Sequence, residues 1–449
     1  MVNRMYSFLI TLAVVTSILY ATESRIESMG KRDIFFRDDM QVFKNPATIG
    51  IFGNFVMGTM GFVNDAIDTS IVPERSFDSA MVFVDSDNDS VSVSVPYTVY
   101  DTVYGKRTDV PTNQWFGVVY NYQLSKTLGV FGGAAFNRDN ELDLFYDSLR
   151  TVIQTECLTK LALPEKTAFP EVRGKMDLML GAALQGLNVG IGFSKASQDL
   201  KFIYDSTEYG SDVSLTSLSL GMETQAGTHS IEAYARLSMI SYSNSTPDSA
   251  IDMPATTDNS LEIGARGFIK TNLKGGIVFV PALTIAKNAL FNRTYSRYSG
   301  GVGMNLRLDG GLFWAGLEGE YFINTKDSTS YDSAANVERS GYGAHFNFGI
   351  EKSLIWKWLI VRVGGSKYIG IRTTKSAGNS LREWVENTAD DGSSDDVLGF
   401  GIGLNYQSRL RFDITLNEAL PYFNPFSNGL QNSTNGAHMV LRISSTFSL

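Results

Sequence analysis

The chain has few residues suited to catalysis, and their surroundings argue against it. Three histidines occur, His229, His345 and His438, and none stands beside a serine in a nucleophile motif. Neither a Gly-x-Ser-x-Gly elbow nor a His-Glu-x-x-His helix is present, and no Walker loop or dinucleotide fingerprint appears. Cys157 is the one cysteine, so an intrachain disulfide is excluded. Asp85-Ser86-Asp87-Asn88-Asp89 begins like a calcium loop. Ser90 then stands where that loop turns on glycine, and Pro96 where its last glutamate belongs. A solvated acidic loop is the reading for this run and for Asp390, Asp391, Asp395 and Asp396. The residues predict no enzyme, no catalytic residue, no metal site and no cofactor.

What the chain does carry is charge at every second position of otherwise apolar segments. Glu223, Glu232, Arg236, Glu262, Arg266, Arg307, Glu318 and Glu320 follow this rule. So do His345, Asn347, Arg362, Arg409, Arg411, Asp413 and Arg442. Successive side chains on a strand point to opposite faces, so these groups share one face and the apolar residues the other. A charge facing lipid at mid-depth costs a few kcal/mol, roughly 2–4 for a basic group, so the polar face must line a lumen. There the charges either set the field of a pore or pair with one another and brace the wall. The residue types leave both open.

The elements that hold these groups are strands. Leu398, Phe400, Ile402, Leu404 and Tyr406 alternate with Gly399, Gly401, Gly403 and Asn405, and the same period recurs from residue 51 to 449. Strands are predicted at 51–62, 115–124, 128–138, 176–185, 187–196, 214–226, 229–241 and 259–271. Further strands follow at 275–287, 297–308, 311–323, 339–351, 357–369, 396–406, 408–416 and 437–449. Gaps between them are short and long in strict alternation, the pattern of an outer-membrane barrel with tight periplasmic turns and long outer loops. The predicted fold class is therefore all-β, a transmembrane antiparallel β-barrel of about sixteen strands. A propeller would show a repeat of about 40–50 residues, and none is found. A soluble sandwich would not alternate its loop lengths. A net charge of −9 argues against a nucleic-acid partner.

Residues 1–21 read as a signal peptide, with Arg4 ahead of the uncharged run SFLITLAVVTSILY, and 51–449 as the barrel. Aromatics near strand ends (Trp115, Tyr122, Tyr298, Tyr321, Trp356, Trp358, Tyr368, Tyr406, Phe447) predict two interfacial girdles. Membrane lipid and lipopolysaccharide are the surrounding partners expected. Met439, Leu441, Ile443, Phe447 and Leu449 alternate to the C-terminus. This resembles the strand that the outer-membrane insertion machinery recognises.

Residues 22–50 form the remaining segment, long and apolar enough to fold into the lumen as a plug, or else to pack under the barrel floor as a brace. It holds Met29-Gly30, the acidic pair Asp38-Asp39, and Asn45-Pro46-Ala47 just before the first strand. In this it resembles the long-chain fatty acid transporter superfamily of outer-membrane proteins, including its relatives in type IX secretion. The resemblance implies a barrel of usually fourteen strands, a segment folded into the lumen as a plug held by Asn45, Pro46 and Ala47, and a hydrophobic pathway with a lateral opening. On that reading the chain passes a small hydrophobic ligand passively. A surface scaffold or secretion accessory, and then a general diffusion porin, are the alternatives.

Overall fold

Each alternating segment has one face that needs hydrocarbon and one that needs water. A closed ring of such strands meets both demands while pairing the backbone groups of every strand. A computed structural model shows that ring. It describes residues 23–30, 32–62, 69–86, 89–104, 112–125, 127–136, 176–204, 207–245, 253–272, 276–290, 293–326, 336–354, 356–376, 379–385, 397–406, 409–416 and 440–448. The signal-peptide residues, Cys157, and the acidic residues 390–396 lie outside these.

The strands in chain order are β1 (Phe55–Phe62), β2 (Thr69–Ser86), β3 (Asp89–Tyr104), β4 (Thr112–Gln123), β5 (Leu128–Phe136), β6 (Met176–Leu184) and β7 (Leu187–Tyr204). Next come β8 (Thr207–Ala226), β9 (His229–Ser245), β10 (Met253–Lys270), β11 (Val278–Leu290), β12 (Arg293–Leu308) and β13 (Gly311–Lys326). The last are β14 (Val337–Ser353), β15 (Leu359–Ser376), β16 (Asn379–Val385), β17 (Val397–Tyr406), β18 (Leu410–Leu416) and β19 (Val440–Ser448). The barrel consists of β1, β4–β15 and β17–β19, each antiparallel to its neighbours. β1 closes it, placing Phe55 opposite Val119 of β4 and opposite Ser448 of β19. No described helix is long and apolar enough to cross a membrane.

All sixteen strands read from the alternation are present, so the count is sixteen and not the fourteen implied by the family resemblance. Their lengths differ. The stretches 197–213 and 288–296, expected as long loops, are mostly strand: β7 runs to Tyr204 before β8 begins at Thr207, and β11 runs to Leu290 before β12 begins at Arg293. Beyond the bilayer the outward face no longer has to be apolar, so the alternation fades while backbone pairing continues. Two long connections also contain strands. β2 pairs with β3 as a separate hairpin, and β16 pairs with the upper part of β15 above the point where β17 takes over.

Outward apolar side chains remain exposed in large numbers; Leu180 is 66% and Leu220 55% exposed. A contiguous apolar band of this size needs lipid around it. Tyr120, Tyr122, Trp356, Trp358 and Tyr406 sit near the short-turn end, and Tyr298 stacks on Tyr321 further along the wall. Trp115 and Tyr368 correct the girdle expectation. They share parity with the lumen residues Val119 and Arg362, point inward, and are buried. A closed barrel with this band spans the outer membrane of a Gram-negative-type cell.

Candidate functional site: the lumen and the segment inside it

Short capped turns fold residues 23–52 into a compact strap. A helix at Glu23–Ser28 comes first. Asp38 then caps the 3-10 turn Asp39–Phe43 by accepting from the Met40 amide at 3.1 Å. Asn45 caps the turn Pro46–Thr48 by accepting from the Ala47 amide at 3.2 Å, with Pro46 at the first helical position where its missing N–H costs nothing. A last helical turn, Ile49–Phe52, leads through Gly53 (φ 82°) into β1.

This strap lies inside the barrel and crosses it. At one side Asn45 Nδ2 donates to the Met222 carbonyl of β8 at 3.3 Å. A methyl group on Gly221 would collide with Asn45 Oδ1, and one on Gly190 would stand 2.6 Å from the Ala47 amide. Bare backbone on β7 and β8 is therefore what lets the Asn-Pro-Ala turn approach. At the opposite side, Ser28 lies against Gly401 of β17, the Thr415 hydroxyl of β18 donates to the Ser24 carbonyl at 3.0 Å, and the Ser444 hydroxyl of β19 donates to Ser24 Oγ at 2.6 Å.

Three arginines of the strap meet acids of the wall. Arg25 bridges Asp38 and Glu351, each at 2.7 Å. Arg32 reaches Glu318 at 2.9 Å and His345 Nε2 at 3.1 Å. Arg37 reaches Glu232 at 2.8 Å and stacks over Phe268. In the other direction Arg266 bonds Glu232 and reaches into the strap, to Gln41 and to the carbonyls of Asp33, Ile34 and Phe36. Burial works against the charge of Arg25, and Glu351 and Asp38 more than offset it, so its guanidinium is held well above the ordinary value. Burial alone would raise the Asp33 carboxyl, but Lys44 and then Arg266 bring it below its usual range. Burial, with Asp39 beside it, pushes Asp38 up to about 7 against the pull of Arg25.

The expected lumen residues divide into three groups. Arg236, Glu262, Arg266, Glu318, His345, Arg362 and Arg411 do face inward. Arg362 is 1% exposed and forms ion pairs with Glu351 and Asp413, and Arg411 also pairs with Asp413. Tyr234 donates to Glu262 at 2.5 Å, and His345 Nε2 stands 3.2 Å from Glu320. Arg307 and Arg409 are corrections. Arg307 is exposed at the end of β12, where the wall ends and parity no longer hides a side chain. Arg409 precedes β18 in the turn after Tyr406 and is exposed. Arg442 pairs through its backbone with Gly61 and Thr415, and its side chain lies outside the described residues.

The lumen wall is not polar throughout. Inward positions of β1, β4, β5 and β6 carry Phe55, Met57, Trp115, Val119, Phe131, Ala135 and Met179, all buried and continuous with Met40, Val42 and Phe43 of the strap. Phe43 meets Trp115 edge-on at 5.6 Å. Sequence reasoning assumed a polar interior throughout and missed this patch, although the same parity rule assigns every one of these residues. It also missed Glu351, which continues the row of His345 and Asn347, and the three strap arginines, whose partners lie hundreds of residues away.

No family model matches the sequence, and no curated protein matches it. Among solved structures the chain is similar to CdiB from Escherichia coli, at 10% identity and a TM-score of 0.38, over 88% of this chain and 63% of that one. It is similar to the siderophore receptor PirA from Acinetobacter baumannii at 9% identity and a TM-score of 0.33, over 88% and 65%. For the outer membrane transporter YddB from Escherichia coli the values are 8% and 0.28, over 89% and 81%. The chain thus spans less than two thirds of the first two. These neighbours are outer-membrane barrels, and likeness at this level carries no argument about what this chain does.

Proposed function

We propose that the chain is an outer-membrane channel for passive passage of a small hydrophobic molecule, with residues 22–50 as its internal plug. The observation that carries this reading is the apolar patch within the lumen. A hydrophobic solute gains nothing from a charged wall, but the patch on β1, β4, β5 and β6 offers it a continuous apolar surface beside the strap. The strap's own apolar side chains occupy that patch at rest, so a solute following it competes with Met40, Val42 and Phe43 rather than with ions. Asn45, Pro46 and Ala47 hold the plug against β7 and β8. The ordered charges Arg25, Arg32 and Arg37 favour a second reading, a fixed brace inside a barrel that presents its outer loops to a partner.

Uptake of the hydrophobic dye N-phenyl-1-naphthylamine by Gram-negative host cells separates the two. Cells carrying the full chain should take up the dye several-fold faster than cells without it. Removal of residues 22–48 should further raise the rate and open an ion conductance in planar bilayers. Dye uptake at the background rate in both forms would discard the channel reading in favour of the brace.

A further inference from the structure

His345 of β14 is fully buried, and its hydrogen bonding rests on one atom. The ring nitrogen Nε2 lies 3.1 Å from Arg32 Nη2 of the strap and 3.2 Å from Glu320 Oε2 of β13. Nδ1 is buried without a hydrogen-bond partner among the described residues, so it cannot relieve the other nitrogen. An arginine only donates and an ionised carboxylate only accepts. Nε2 carries either a lone pair or a proton, and so serves one of the two. With the lone pair it accepts from Arg32, and the strap gains a contact. As a cation the ring donates to Glu320 and sets its positive charge against the guanidinium.

The charged neighbours decide which way a proton pushes. Glu318, the cross-strand partner of His345, pairs with Arg32 at 2.9 Å. Arg297 of β12 pairs with Glu320 at 2.6 Å and reaches Glu318 at 3.5 Å. On the other side stands Tyr368 of β15, its ring centroid 4.6 Å from the imidazole. With a neutral imidazole, two cations balance two acids. A proton on His345 adds a third positive charge to this buried cluster. Arg297 belongs to the wall, whereas Arg32 belongs to the strap and its side chain is 22% exposed. Once Arg32 has moved away, the two acids outnumber Arg297, and His345 binds a proton more tightly. A ligand that binds one state better shifts the molecule toward it, and the proton is such a ligand. Histidine is the side chain whose charge ordinarily changes between pH 5 and 8.

We propose that His345 is a proton-operated latch on the strap. Neutral, it holds Arg32; protonated, it bonds Glu320 instead and releases the middle of the strap. The latch acts on the strap whether or not the lumen passes a solute.

The test is electron paramagnetic resonance of the full chain in lipid vesicles, with a nitroxide on Ile34→Cys in a Cys157→Ser background. Ile34 is two residues from Arg32 and only partly buried. On acidification from about pH 8 to about pH 5, the ratio of mobile to immobile label should rise about five-fold. That is below the ceiling of about ten-fold per pH unit that one proton sets. In His345→Gln the side chain takes up no proton, and its amide oxygen can still accept from Arg32. The ratio should then stay level over the same range. Asp38 and the other strap acids are common to both proteins, so their contribution cancels in the comparison. A level ratio with His345 in place would overturn the latch, and this holds even if His345→Gln does not fold. So would a rise of the same size in His345→Gln.

Discussion

Arg25→Ala is expected to destabilise the protein by about 3–5 kcal/mol, the usual cost of removing one partner from a buried ion pair. Arg25 is 7% exposed and holds both sides of the strap together. Its Nε and Nη2 form a fork on Glu351 of β14, at 3.0 and 2.7 Å, while Nη1 reaches Asp38 within the strap. The guanidinium also covers the Phe36 ring, 5.3 Å from its centroid. Alanine would leave Asp38 without this partner and Glu351 paired with Arg362 at 3.1 Å. Lysine keeps the charge but cannot reproduce the fork, so Arg25→Lys should fall between the two. Equilibrium unfolding in guanidinium chloride from lipid vesicles reads the loss, and limited proteolysis reads release of the strap. A loss below about 0.5 kcal/mol would place Arg25 among ordinary surface charges.

Leu317→Arg should cost about 2–4 kcal/mol in the same unfolding measurement, because it puts a charge on the lipid face at mid-wall. Leu317 lies near the centre of the part of β13 that crosses the bilayer, and is 46% exposed between inward-facing Gly316 and Glu318. Thr325 shares its outward parity but lies eight residues further along, in the portion of β13 beyond the hydrocarbon. Thr325→Arg should therefore cost about 0–1 kcal/mol, the value for an interfacial position. Equal costs at the two sites would mean that Leu317 does not face hydrocarbon.

These two substitutions mark what was and was not legible in the sequence. The position of Leu317 follows from period two alone. Each predicted strand repeats its own pattern over nine or more residues, and a one-residue slip would reverse every side chain. The sixteen strands were legible for that reason. So was the inward set around Glu318, His345 and Arg362. Strand ends were not, because pairing continues past the bilayer after its demand for apolar residues has ceased. Arg307 and Arg409 were misplaced for a related reason: at a rim, parity still assigns a direction but no longer a lumen. Arg25 was illegible altogether. Its role depends on Glu351, 326 residues away, and a single sequence contains no local sign that the two meet. The Asn-Pro-Ala turn lies between these cases. Its cap and its proline are local, whereas the glycines that admit it, Gly190 and Gly221, look like any other glycines in a strand.

The central claim is that the strap is seated within the barrel, and a reversible tether measures this directly. Ser24→Cys with Ser444→Cys, in a Cys157→Ser background, replaces two hydroxyls that stand 2.6 Å apart across the seam between strap and β19. With the strap seated, the oxidised full chain should form this disulfide in high yield in the membrane. It should then take up hydrophobic dye slowly, and recover on reduction. If the two thiols both stay free and open to a water-soluble alkylating reagent, the strap lies outside the wall and the account fails.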